Sequence, residues 1–435
     1  MNLLSTFANA FKVPDLRKKI LFTLLVIGIY RLGAHIPTPG IDVQAAQDLS
    51  RNASTGVFAF INLFSGGALT QMAIFALGIM PYITSSIIMQ LLTVVIPKLE
   101  AWQKEGESGV KKINQWTRYL TVMLAMLQST GIAFIFHNGG GGAQGQGGAL
   151  AGIDLIPEFT APRVGLIVLS LTAGTALIMW LGELITSKGI GNGMSILIFA
   201  SIVSTLPSEG YAVYQQKPLG TFLALIAIGL GVVVAIVIME QGQRRIPVQY
   251  AKRVVGRRMY GGGQVYIPLK VNQAGIIPII FASSVLYIPS LLQNTIQSPA
   301  IQGFIDRNLV NPASPVYMVI YGTMVVFFSY FYTAIAFNPV DQADNMKKYG
   351  GFIPGIRPGR QTADYLDKIL TRITLPGALF VAAIALMPSI FLAWQNIQQL
   401  PFGGVSILIT VGVTLETMKQ IESQLMMRHY EGFLK

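Results

Sequence analysis

The 435-residue chain has no cysteine, three histidines and only 11% charged residues, and each shortage removes a class of function. Without cysteine there is no disulfide and no thiolate metal site, and the redox compartment stays open. His35, His137 and His429 are too widely spaced along the chain to predict a histidine metal centre. No Ser/His/Asp set, carboxylate pair or His-Glu-x-x-His run accompanies them, so neither an enzyme nor a cofactor or metal site is expected. A soluble domain carries about 25% charge, more than twice the fraction found here. Lipid must cover what polar side chains do not.

Apolar residues fill that place, at 52% of the chain and a mean hydropathy of +0.56. A span needs roughly 20 apolar residues to cross about 30 Å of hydrocarbon. Such runs fall near 20–36, 69–96, 119–137, 163–182, 193–207, 219–239, 274–292, 315–337, 373–394 and 404–421. The fifth is short, and Pro81 and Pro278 interrupt the second and seventh. The expected fold class is therefore an all-α polytopic membrane protein of about ten transmembrane helices.

The formal charge of +12 invites a nucleic-acid reading, but its placement points to a membrane. With the first residues inside, 26 of the 31 Lys and Arg fall in inner segments; Arg31, Arg51, Arg163, Lys217 and Arg307 do not. This asymmetry predicts both termini on the cytoplasmic side and an even number of spans. Leu4, Phe7 and Phe11, at helical spacing before Lys12, Arg17, Lys18 and Lys19, read as an interfacial helix and its basic anchor. A cleaved signal peptide is the rival reading, but no small-residue cleavage site follows the first apolar run. The chain divides into a cytoplasmic segment 1–19, a half 20–207, a half 208–421 with cytoplasmic loops 240–273 and 338–372, and a tail 422–435. Five spans followed by five give halves of opposite topology, with the functional path expected between them. The Gly-rich stretch 138–148 contains a G-x-G-x-x-G match, but without a βαβ unit around it that match is chance.

Near the middle of the spans there is no Asp, Glu, Lys, Arg or His; Arg31, Glu183 and Glu416 lie toward ends. A coupled secondary transporter, the main alternative, needs ionisable groups at depth. The stretch Phe58–Leu69 is apolar, too short to cross, and stopped by Gly66-Gly67. It reads as a re-entrant segment, which must be buried in protein or line a cavity. The two long inner loops set aromatic and apolar residues among their basic ones, which suits docking onto an acidic partner such as ribosomal RNA. A structural scaffold, the other alternative, has no use for such loops.

The motifs Phe64-Ser65-Gly66-Gly67-Ala68-Leu69, Gly78-Ile79-Met80-Pro81-Tyr82-Ile83, Gly189-Ile190-Gly191-Asn192-Gly193, Arg244-Arg245 with Tyr250-Ala251-Lys252-Arg253, Val271-Asn272 with Ile277-Pro278, and Pro354-Gly355-Ile356-Arg357-Pro358-Gly359 occur in this order. Over essentially its whole length the chain thereby resembles the bacterial SecY family of protein translocase subunits. The resemblance implies ten helices in two inverted pseudo-symmetric halves around a central hydrophobic pore. It implies a passive, gated conduit for unfolded polypeptides across, and laterally into, the bacterial cytoplasmic (inner) membrane. By motif match the pore ring falls on Ile79, Ile83, Met194, Ile198, Ile280 and Ile409. Met194 departs from the family's usual Ile or Val. The plug falls at about 56–69, including Phe58, Phe60, Ile61, Asn62, Leu63, Phe64, Ser65, Gly66 and Gly67. The lateral gate involves Thr84, Ser85, Gln128, Ser283 and Ser284, whose small polar side chains are expected to bond weakly across the seam. Partner docking falls to Arg244, Arg245, Lys252, Arg253, Arg257, Arg258, Arg357 and Arg360. The implied partners are small SecE-like and SecG-like membrane subunits, the SecA motor ATPase, the ribosome, the translocating polypeptide with its signal sequence, and the lipid bilayer.

Overall fold

The computed structural model describes residues 11, 13–42, 64–137, 156, 159–216, 218–250, 253–255, 258–260, 264–293, 303–395 and 404–431. Helices stand at all ten apolar runs. They begin with α1 (Pro14–Gly33) and α2 (Met80–Val95), the latter followed by a short α3 (Pro97–Lys104). Then come α4 (Glu107–His137), α5 (Ala161–Lys188), α6 (Gly193–Gln216) and α7 (Leu219–Gln241). The second half continues with α8 (Ile277–Gln293), α9 (Pro315–Ala336), a short α10 (Pro339–Lys348), α11 (Arg360–Gln395) and α12 (Gly404–Glu431). Five of these, α5, α6, α7, α9 and α11, are by themselves long and apolar enough to cross a membrane.

Three boundaries differ from expectation. The second run is helical only from Met80, and residues 66–79 form a chain of turns. Gly66, Gly67, Gly78 and Met72 all take positive φ there, which breaks a helix. Pro81 and Pro278 do not interrupt helices but stand in the first turns of α2 and α8, where a missing N–H costs nothing. The fifth run continues as helix through Pro207 to Gln216, nine residues past its expected end. At 16 residues, α2 is about 24 Å long, and α3 turns away from it by 100°. With Lys98 and Lys112 each 5.6 Å from the Trp102 ring, α3 is an interfacial helix and not the second arm of a span.

The long inner loops are not irregular. Loop 240–273 carries β1 (Gln243–Tyr250) paired antiparallel with β4 (Gln264–Lys270), and β2 (Arg253–Val255) paired with β3 (Arg258–Tyr260) near its tip. The other loop adds β5 (Gly351–Phe352) to β1, so the sheet order is β4-β1-β5. Ile246 and Val248 of β1 and Leu269 of β4 are buried with Met346, Ile353, Leu366 and Leu370, which gives the sheet a core of its own. One chain thus holds an all-helical membrane body and a small β platform built jointly by its two basic loops.

Within each half the packing is local. Leu69, Met72, Ala76 and Leu77 are buried with Ala125 and Ile132 of α4 and Ile167 and Leu171 of α5. In the second half Ile279 and Leu286 of α8 pack with Tyr321 and Val325 of α9 and Val381 and Ala385 of α11. A third cluster draws on both halves.

Candidate functional site

That shared cluster contains every residue assigned to the ring. Ile79 and Ile83 open α2, Met194 and Ile198 open α6, Ile280 lies on α8 and Ile409 on α12; all but Ile83 are buried, and Ile83 packs against the rest. Local chemistry fixes these positions. The Asn192 side chain accepts the Met194 N–H at 3.1 Å and caps α6, while Thr186 Oγ1 accepts the Gly193 N–H at 2.9 Å. A Cβ at Gly193 would strike the carbonyl of Gly182. Only glycine lets α6 approach α5 closely enough to deliver Met194 to the centre.

On one side of the ring lies a cavity of about 700 Å³. Its walls include Ile83, Met194, Ile198 and Ile280, and also Gln90, Glu240, Lys270, Asn272, Glu416, Lys419 and Ser423. From Gly412 to Ser423, α12 contributes eleven residues of rise, about 16 Å, so the cavity is a funnel. Lys270 ends β4, so the funnel opens toward the β platform. Charge lines the funnel's side of the ring, and the ring itself is apolar.

Of the expected plug, Phe58 through Leu63 lie outside the described residues. Its end is described: Phe64 is fully buried in the ring cluster, and Ser65 is buried beside it. Arg31 of α1 donates to the Gly66 carbonyl at 2.9 Å, and Tyr30 and Ser201 share a 2.6 Å hydrogen bond next to it. Gly66 has φ +64°, and an added Cβ would lie 2.8 Å from Arg31 Nη1 and 3.1 Å from Ser201 Cα. Arg31 and Tyr30 were not among the expected site residues. Their signal was a lone cation at the end of an apolar run, which reads first as an interfacial anchor.

Of the residues expected at a lateral gate, Thr84 and Ser85 lie on α2, Gln128 on α4, and Ser283 and Ser284 on α8, but they do not bond across the seam between α2 and α8 as expected. Thr84 and Ser85 donate to the carbonyls of Met80 and Pro81 in their own helix. Ser283 donates to Ile279 and lies 3.1 Å from Tyr321 Oη, within its own half. The Ser284 hydroxyl is buried without a partner among the described residues. Helical hydroxyls find the carbonyl one turn back within their own helix, so the seam is left to apolar contact between Ile79, Ile83 and Ile87 and Ile277, Ile280 and Phe281.

The residues expected to dock partners divide likewise. Arg357 and Arg360 are exposed, and the turn beneath Arg357 is fixed by Thr362 Oγ1 donating to its carbonyl at 2.9 Å and by buried Ile353. Gly355 and Gly359 flank it at φ +83° and +108°. Arg244 and Arg245 alternate across β1, so they face opposite sides of the sheet. Arg253 and Arg258 lie on β2 and β3, and Lys252 and Arg257 fall outside the described residues.

Comparison with known proteins agrees with this arrangement. The SecY family profile matches residues 73–418. The protein translocase subunit SecY of Streptomyces scabiei is 56% identical over 441 residues, covering 100% of both chains. Among solved structures, a protein-conducting channel has the same fold with a TM-score of 0.64 at 17% identity, over 95% of this chain and 96% of its own. Sec61 from a canine ribosome-channel complex of the endoplasmic reticulum gives 0.61 at 16%, again over 95% and 96%. A family profile over most of the chain and a relative identical at more than half of all positions leave one conclusion: this chain belongs to the SecY family of protein translocase subunits.

Proposed function

We propose that this chain is the gated conduit of its translocase, and that unfolded polypeptide passes through the ring of Ile79, Ile83, Met194, Ile198, Ile280 and Ile409. The observation that carries the reading is the meeting of these six side chains, from four helices of both halves, in one apolar cluster at the floor of the funnel. Such a ring stops ions by dewetting and discriminates little among passing side chains. A charged ring would select its substrate. The residues 56–69 act as the stopper, held at their end by Arg31, and the α2–α8 seam opens sideways to admit apolar segments into lipid. Cysteines at Ile79, Ile198, Ile280 and Ile409 should crosslink to a chain halted in transit. A cysteine at lipid-facing Val234 should not, and equal labelling of both sets refutes the assignment.

Energy comes from partners, since the chain carries no catalytic set of its own. Arg245, Arg357 and Arg360 on the β platform offer charge to an acidic face of a SecA-like motor or to ribosomal RNA; one neighbour of the same fold was solved on a ribosome. Small SecE-like and SecG-like subunits complete the assembly in the cytoplasmic membrane. Both termini lie inside, on the side of the funnel and the platform. A protease added to sealed inside-out vesicles should cut at 253–260; resistance there with cleavage near residue 163 would reverse the orientation.

A further inference from the structure

Tyr365, Lys368, Ile369, Arg372 and Ile373 recur along α11 at steps of three and four, so they share one face of that helix. Arg244 of β1 completes the lining of a cavity of about 280 Å³ over this stripe. Alternation along β1 puts Arg244 on the side of the buried Ile246 and Val248, toward α11. Three cations from two elements therefore converge on one space. None of them is ion-paired among the described residues, and Asp364 and Asp367, the acids of the same helix, do not line the cavity. Like charges gathered without a counter-ion repel one another, and an anion placed between them relieves that repulsion.

The level of the cavity identifies the anion. Arg372 directly precedes the apolar run that enters the membrane, and Ile369 and Ile373 supply apolar surface beside the cations. Two arginine forks and an ammonium suit phosphate oxygens, and Tyr365 adds a hydroxyl donor. A ligand that meets both demands has a phosphate head and hydrocarbon tails. We infer that this cavity is a binding site for the phosphodiester headgroup of an anionic phospholipid of the inner leaflet. A lipid held there moors the β platform to the membrane surface and leaves Arg245, Arg357 and Arg360 facing outward. The inference does not depend on the conduit reading, and its test reads no transport.

The full-length protein, purified in detergent, is titrated with phosphatidylglycerol and followed by native mass spectrometry. One lipid should bind tightly to the unaltered chain. R244Q/K368Q/R372Q should weaken that binding about a hundredfold, at roughly a factor of five per cation. All three side chains are exposed, so the variant keeps its packing. K347Q/K348Q/R360Q removes the same charge away from the cavity and should leave the tight site intact. Unchanged binding in the first variant, or equal loss in both, overturns the site. Millimolar inorganic phosphate should not displace the lipid; complete displacement would assign the cavity to a free anion and overturn the lipid.

Discussion

Replacing Ile409 by asparagine tests the seal where the structure is most explicit. Ile409 is 0% exposed and its cluster neighbours are apolar. Burial of an isoleucine side chain contributes about 1.5–3 kcal/mol. An amide in its place, without a hydrogen-bond partner, costs a further 1–3 kcal/mol or so. The closed ring of the Ile409→Asn variant is therefore disfavoured by about 2.5–6 kcal/mol, and the amide recovers much of this only by drawing water into the constriction. A wetted ring conducts ions. In planar bilayers, Ile409→Asn should give a steady leak that the parent lacks. Ile409→Val removes one methylene, costs about 0.5–1.5 kcal/mol and stays apolar, so the seal should hold. Val234→Asn, on a face that is 58% exposed toward lipid, should not leak either. A tight Ile409→Asn channel, or one no leakier than Val234→Asn, refutes the ring as the barrier.

Arg357→Glu should abolish post-translational transport while the protein still inserts, because the loop lies outside the bilayer and its turn is held by Ile353 and Thr362. Arg357→Lys, which loses the two-pronged bond, should be impaired more than Arg360→Lys, with a binding loss of up to about 2–5 kcal/mol if the partner's acid is buried; normal transport by Arg357→Glu leaves the loop a lipid anchor. Gly66→Ala forces a side chain into a left-handed position at about 1–2 kcal/mol and crowds Arg31, so resting ion leak should rise; unchanged conductance removes Arg31 from the stopper. Deleting 58–63 should raise leak in the same assay while thermal unfolding stays cooperative. Ser283→Ala and Ser85→Ala should each leave transport within a factor of about two in proteoliposomes, because neither hydroxyl reaches across the seam.

The helices were legible because lipid imposes a length and a composition that a single sequence displays directly. The ring assignment was not legible from composition, since Ile79 or Ile409 alone looks like any membrane-facing isoleucine; it came from the family motifs, and the structure gathers those residues in one cluster. The β platform escaped because its two main strands carry Pro247 and Pro268, which argue against a strand, and because they are joined by β5 from a loop far along the chain. The turns at 66–79 escaped for another reason. Their residues are as apolar as a span, and only Gly66, Gly67 and Gly78, read together with Pro81, mark where a helix cannot run. Arg31 shows the same limit: a cation at a span's end is expected at an interface, and only the fold reveals the carbonyl that it holds.

The missing bonds across the seam bear on how such a channel can open. Between described residues, no side-chain hydrogen bond or ion pair joins 20–216 to 218–421; the Lys19–Gln424 contact at 3.4 Å lies outside both ranges. Parting α2 from α8 therefore orphans no polar group, which in hydrocarbon would cost several kcal/mol apiece. It only exchanges Ile87 and Phe281 contacts for contacts with lipid tails, which are equally apolar. A seam of bonded hydroxyls would have to find new partners each time it opened. Here Thr84, Ser85 and Ser283 keep the same carbonyl partners whether the seam is shut or open, since those partners travel with their own helices. Under the proposed lateral opening, an apolar helix entering between α2 and α8 would replace like with like, and such a gate would yield to hydrophobicity without reading sequence.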